Sequence, residues 1–349
     1  MQQDKSFFNI VILSAIISGF AGVFTLYMTK YSPLLAYIFS FLTILPAIIV
    51  SLIKGIRAGA ITTIIAFILC CFTLPINLSI SLFISLLLPA LYISFMLSIV
   101  AVRRDTKEAN WVPLSSILFN ICIICVVVVV MLTGFFNIFS AQPLLSDATF
   151  NEIQSHFNAE NFNSLTNLSL DPDKIDQIKL SIAQIKLIID DNFVFYTIAG
   201  ITLLIISSLF SMLLLAVYTA CRFVANKNLS PRPRNFWPTD LVMPPMGITV
   251  LLVALIASGF PAMNYTLLLC TISLSIAFSL GFFASGLAFI HHITIGKSWR
   301  VIALVLAYIL IFIFAFSGIS TMIVIALGVL STVLRAIKDK KQQIDTPLN

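Results

Sequence analysis

Few side chains in this sequence are of a type that does chemistry, and their surroundings withhold most of it. Cys122 and Cys125 form a C-x-x-C pair, the spacing of redox and zinc motifs, but they stand inside the apolar run NICIICVVVVV. Such a site needs an accessible thiolate, and an apolar environment disfavours the charged form. The pair therefore reads as two small hydrophobes. Cys70, Cys71, Cys221 and Cys270 also lie inside or at the end of apolar runs, so no disulfide framework is legible. His156 stands alone in a polar stretch, without the convergent ligands that a metal needs. His291 and His292 could pass protons near neutral pH, but neighbours on a helix point about 100° apart. They read as an interfacial pair. No nucleophile elbow, G-x-S-x-G, is present. No catalytic set, metal site or cofactor is expected.

Three other sets of residues have suggestive spacing. Ser14, Ser18 and Gly22 recur at four-residue steps, with Ala15 and Gly19 beside them. In lipid such a small-residue stripe lets helices approach closely, either to a docking subunit or, the preferred reading, to another span of the same chain. The stretch RFVANKNLSPRPRNFWPTDLVMPP carries Arg232, Arg234 and Trp237 among five prolines. It reads as a solvated connector, with a semi-rigid arm for a partner or for anionic headgroups as the functional alternative. Asn120, Asn264, Thr62, Thr63, Ser81, Ser85, Ser94, Ser207, Ser208 and Ser211 are neutral polar groups inside apolar runs. They suit inter-helix hydrogen bonds worth about 0.6 kcal/mol each, or the lining of a site for a weakly polar ligand.

The elements that hold these residues follow from hydropathy. Over 349 residues, 60% of side chains are hydrophobic and 10% charged, with a mean hydropathy of +1.07. That composition excludes an ordinary soluble domain. A span needs about 20 apolar residues, and the candidates are 7–28, 33–53, 56–75, 78–100, 113–137, 193–221, 241–260, 264–290, 299–316 and 318–335. The expected fold is all-α: a polytopic transmembrane helix bundle of about ten spans with an extracytoplasmic amphipathic helical insertion. The first long apolar run exceeds a signal-peptide core and is expected to stay as a span. The last two spans share one apolar run, which Ser317-Gly318 is expected to break.

Apart from Arg57, Arg300 and Arg335 at helix ends, with Arg222 just past another, these spans contain no charged residue. This argues against a carboxylate relay of the kind ion-coupled transporters keep. The net charge of +6 is spread through loops, as topology alone requires, so nucleic acid is not an expected partner. With both termini inside, sixteen of the 20 Lys and Arg are cytoplasmic, as the positive-inside rule asks. The regions are then 1–137, the first five spans; 138–192, outside; 193–335, the last five spans; and 336–349, a cytoplasmic tail. The outer segment carries eight acids against three lysines. Its second half is capped by Asp171 and Pro172. Ile175, Ile178, Ile182, Ile185 and Ile189 then recur at helical spacing. That amphipathic helix could lie on the leaflet, cap the bundle or meet a partner.

The stretches SPRPRNFWPTDLVMPP, GLAFIHHITIGKSW and IALGVLSTVLRAIKDKK, with the acidic outer insertion, resemble the YybS-like family of uncharacterised bacterial membrane proteins. The resemblance implies a bacterial cytoplasmic-membrane location and carries over no catalytic residue. The front portion, IKGIRAGAITTIIAFILCCF followed by PINLSISLFISLLLPALYISF, is similar in style to the substrate-binding subunits of energy-coupling-factor transporters. By that analogy Ser14, Ala15, Ser18, Gly19 and Gly22 would face a coupling subunit.

Three functions are open on these grounds. The first is a non-enzymatic transport component that binds a small molecule or lipid between its early spans. The second is a scaffold or assembly factor for the cell envelope. The third is a lipid-acting enzyme using loop acids such as Asp105, Glu108 or Asp240. The bilayer and other membrane subunits are the expected partners. For topology, maleimide labelling in a cysteine-free background is expected to reach Glu160→Cys from outside and Asn228→Cys only after permeabilisation. The reverse pattern would overturn the assignment.

Overall fold

With no water in the bilayer to bond its amides, a chain can cross only in forms that satisfy each N–H and C=O internally. The apolar runs accordingly fold as helices. The computed structural model describes residues 2–102, 109–139, 193–229, 232, 235–260, 264–313 and 318–345. The expected outer helix, His156, Asp105, Glu108 and Arg234 lie outside these residues.

The helices are α1 (Gln2–Thr29), α2 (Pro33–Lys54), α3 (Ile56–Thr73), α4 (Ile76–Leu82), α5 (Leu88–Ser98), α6 (Leu114–Phe139), α7 (Phe193–Asn226), α8 (Trp237–Asp240), α9 (Met246–Ser258), α10 (Tyr265–Ile293), α11 (Arg300–Ile313) and α12 (Ile319–Asp345). Strands β1 (Val100–Val102) and β2 (Ala109–Trp111) form one short antiparallel ladder. Among the described residues eight helical stretches are long and apolar enough to cross a membrane, and α9 and α11 are shorter apolar helices. The chain is thus an all-α, multi-pass integral membrane protein.

Local sequence explains the joints. Gly55 turns α2 into α3 within one residue at a φ of 88°, which side chains with a Cβ rarely adopt. Ser32 caps α2, accepting from the Leu35 amide. The span expected at 78–100 is one crossing with a wider turn inside it: α4 continues through a π-helical turn, Phe83–Leu87, into α5. Pro89 cannot donate to Ser85, and the wider turn accommodates the lost bond. The last apolar run is broken as expected, with Gly318 at a φ of 71°. Ser320 Oγ then donates to Ile311 O at 3.2 Å, linking α12 back to α11. Helix α12 continues without interruption through Arg335 to Asp345.

The helices pack as two groups about a seam. In front, α2 packs against α1, α3 and α5; behind, α10 packs against α9 and α12. Helices α6 and α7 touch both groups, and α7 runs between α2 and α10. Phe278 and Phe282 of α10 are fully buried at the centre, where Phe119 meets Phe278 edge-on at 5.3 Å between ring centroids. In contrast, α11 has no buried residue, as suits a helix whose sides face lipid.

The closest approach is between α10 and α12. A Cβ on Gly286 would lie 2.0 Å from Val324 O, and one on Gly328 would lie 2.0 Å from Phe282 O. The two backbones are in contact, so only hydrogen fits. Gly286→Ala or Gly328→Ala is therefore expected to destabilise the detergent-solubilised protein by about 1–3 kcal/mol, read as a fall in Tm. Gly134→Ala, where nothing lies within 4 Å, should leave Tm level or raise it. Equal behaviour of the three variants would rule out this packing.

Candidate functional site: a groove and a polar cup along α7

Ser207, Ser208 and Ser211 bring polar atoms into the apolar α7 at low cost, because each hydroxyl donates back along its own helix. Ser207 Oγ reaches Leu204 O at 3.3 Å, Ser208 Oγ reaches Ile205 O at 2.9 Å, and Ser211 Oγ reaches Ser207 O at 2.7 Å. Their remaining lone pairs can still accept. Tyr37 of α2 uses one: its hydroxyl lies 3.1 Å from Ser211 Oγ, tying the front group to α7. Beside this stripe α2, α7 and α10 part to leave a cavity of about 830 Å³, within the roughly 300–1,000 Å³ of small-molecule sites. Its walls are Leu204, Leu214, Leu215, Phe283 and Leu287, with the serines and Tyr37 as the polar strip. From Leu204 to Tyr218 it extends about 21 Å along α7 at 1.5 Å per residue.

A second cavity of about 470 Å³ lies where α7 ends, lined by Tyr218, Cys221, Arg222, Asn235, Phe236, Trp237 and Pro238. Tyr218 and Trp237 line both cavities and meet edge-on at 5.0 Å. The cup is built by termination and anchoring. Asn228, at a φ of 52°, stops α7, with Leu229 N donating to Val224 O as in a Schellman end. The single turn α8 follows, its Phe236 amide held by Asp240 Oδ2 at 2.8 Å. Arg335 of α12 donates to Thr239 O at 3.0 Å. Arg222 donates to the Tyr218 hydroxyl and lies 5.8 Å from that ring.

The residues singled out from sequence are placed as follows. Ala15, Ser18, Gly19 and Gly22 are buried and Ser14 half-buried. Ser18 donates to Thr43 O of α2, Gly19 sits against Leu69 of α3, and Gly22 sits against Leu82 and Cys70. Ser18, Gly19 and Gly22 of the stripe thus pack against the chain's own helices, the preferred of the two readings. In the Pro-Arg loop, Lys227, Asn228, Leu229 and Phe236 are exposed, but Arg232 is not a solvated side chain. Arg232 is 7% exposed, donates to Leu97 O at 2.8 Å and Val112 O at 2.9 Å, and lies 5.7 Å from the Trp111 ring. A buried guanidinium that serves the carbonyl ends of α5 and the β1–β2 hairpin is an internal clamp, not a partner contact. Burial pushes its pKa below the ordinary arginine value, though arginine keeps its charge in proteins. Asn235, Phe236 and Pro238 of the loop line the cup, and Trp237 reaches both cavities.

Cys122 and Cys125 are free and fully buried. His291 Nε2 lies 2.8 Å from the Tyr308 hydroxyl and so links α10 to α11. Tyr92 donates to Asn120, joining α5 to α6. Asp240 is spent on its own turn. Among the described residues no three metal-ligating side chains converge. The sequence reading reached the three serines but missed Tyr37 and Tyr218, whose one signal was a polar-tipped aromatic inside an apolar run. The groove is not confined to the early spans: it uses α2 alone of these and otherwise belongs to α7, α10, Trp237 and Leu241.

No family model, no curated protein and no solved structure matches this chain.

The clamp is testable. Arg232→Met keeps the bulk but leaves Leu97 O and Val112 O without their donor. It is expected to cost about 2–3 kcal/mol, seen as a lower Tm and faster tryptic cleavage between β1 and β2. A variant as stable and as resistant as the parent would remove the clamp.

Proposed function

We propose that this protein is a non-enzymatic transport component, or transport-like binding subunit, of the bacterial cytoplasmic membrane. It takes a lipid or other lipophilic small molecule into the groove along α7. The observation that carries this reading is the groove itself: about 830 Å³ of largely apolar space at the seam of the two helix groups, with a hydroxyl strip on one wall. Serine and tyrosine hydroxyls can orient a ligand without the penalty of an intramembrane charge. The lining residues include no carboxylate, histidine or lysine, which suits binding better than acid-base chemistry. The proposal includes the topology with both termini inside, supported by the distribution of Lys and Arg. It also includes membership of the YybS-like group, supported by the sequence stretches quoted above.

Native mass spectrometry of protein purified from its own membranes should find a retained ligand. Ser208→Trp, at an exposed position on the groove wall, should reduce that occupancy at least tenfold without lowering Tm. A parent protein with no retained mass, or a Trp variant that retains it fully, counts against groove binding. Copurification of ATPase and coupling subunits is expected of a transport component. Recovery of envelope-assembly proteins and no ligand would favour the scaffold reading instead.

A further inference from the structure

We propose that the groove and the polar cup are one amphiphile site, and that its occupant is an anionic phospholipid of the bilayer, with an acyl chain along α7 and the charged headgroup at Arg222. This rests on the groove reading above and adds the chemical class of the ligand. Three observations support it. First, the two cavities share walls: Tyr218 and Trp237 belong to both. Chemistry changes across that pair, from leucine and phenylalanine on one side to Arg222 and Asn235 on the other.

Second, the site is long enough for a lipid in one leaflet. Leu204 to Arg222 spans about 27 Å at 1.5 Å per residue, more than the roughly 15 Å of half a hydrocarbon core of about 30 Å. Arg222 stands four residues before the last residue of α7, Asn226. Trp237, a residue type that favours the headgroup layer, packs against it through Tyr218.

Third, the charge is one-sided. Arg222 lines the cup, and its hydrogen-bond partner among the described residues is the Tyr218 phenol, not a carboxylate. A guanidinium has five N–H donors, so the bond to Tyr218 leaves a fork for phosphate oxygens, its preferred bidentate acceptor. The nearby carboxylate, Asp240, is turned to the Phe236 amide at 2.8 Å and the Thr239 hydroxyl at 3.0 Å and does not line the cup. A headgroup with its own ammonium would add a cation beside Arg222, whereas a net-anionic one supplies the missing charge.

The test uses the full chain in mixed micelles with equimolar phosphatidylglycerol and phosphatidylcholine, and bound lipid is read by native mass spectrometry. The parent should retain phosphatidylglycerol over phosphatidylcholine by about tenfold. Arg222→Gln, an exposed position, should still bind lipid but with the ratio reduced to near one. Because the ratio is internal to one sample, a change in folded fraction does not alter it. Ser208→Trp should lower both lipids together. An Arg222→Gln protein that keeps the parent ratio overturns the headgroup assignment and leaves the groove reading standing. Lipid binding unchanged by Ser208→Trp overturns the groove as well. Inorganic phosphate or glycerol 3-phosphate should raise Tm of delipidated protein little. Strong stabilisation by either, lost in Arg222→Gln, would make the occupant a soluble anion and refute the lipid.

Discussion

In hydrocarbon, a hydroxyl or amide that finds no partner within the protein finds none at all, and this constraint shapes nearly every polar contact here. Side chains in the spans mostly bond back to their own helix: Thr25 to Ala21 O, Thr62 to Ala58 O, Thr63 to Gly59 O and Ser94 to Ala90 O. A few bonds cross between elements, and these mark where the bundle is tied. Ser18 joins α1 to α2, Tyr92 joins α5 to α6, Tyr37 joins α2 to α7, and Ser285 accepts from the Met243 amide ahead of α9. At about 0.6 kcal/mol each such bonds are weak. They select a register among helices whose cohesion comes from packing.

Packing is uneven, and the unevenness makes the site. On one side of α10 the glycines let α12 come into backbone contact. On another, beside α7, which touches both α2 and α10, the three helices leave the groove. Helix α7 has 34 residues, about 51 Å at 1.5 Å per residue, well beyond a hydrocarbon core of about 30 Å. The same helix that lines the groove therefore extends past the hydrocarbon and carries Arg222 to the level where charge is tolerated. Groove and cup are adjacent because one long helix crosses two solvents.

At that end the loop after α7 is folded onto the bundle by three cations with different tasks. Arg232 is buried and bonds two backbone carbonyls, Arg335 holds α8 through Thr239 O, and Arg222 lines the cup. Arg222 and Arg232, at either end of one short stretch of sequence, thus differ in task, one lining the cup and the other bonding carbonyls of distant elements, while the tether comes from α12. Only contacts with distant helices make that division.

Hydropathy and glycine position by themselves determined that the chain is an all-α membrane bundle, where its eight long apolar helices lie, and that the last apolar run turns at Gly318, whereas two of the ten expected spans are shorter apolar helices among the described residues. The bilayer imposes those features one segment at a time, so they are readable one segment at a time. The serine stripe on α7 was visible for the same reason. Which helices face one another was not, because every span is apolar on most sides and a leucine toward lipid looks like a leucine toward α10. Tertiary structure alone decided that the stripe of Ser18 and Gly22 is covered by α2 and α3, that Arg232 is buried, and that Tyr37, Ser211 and Tyr218 share one seam. Helix faces in a membrane are chosen by shape and close approach, and those are properties of pairs of helices that no single stretch of sequence carries.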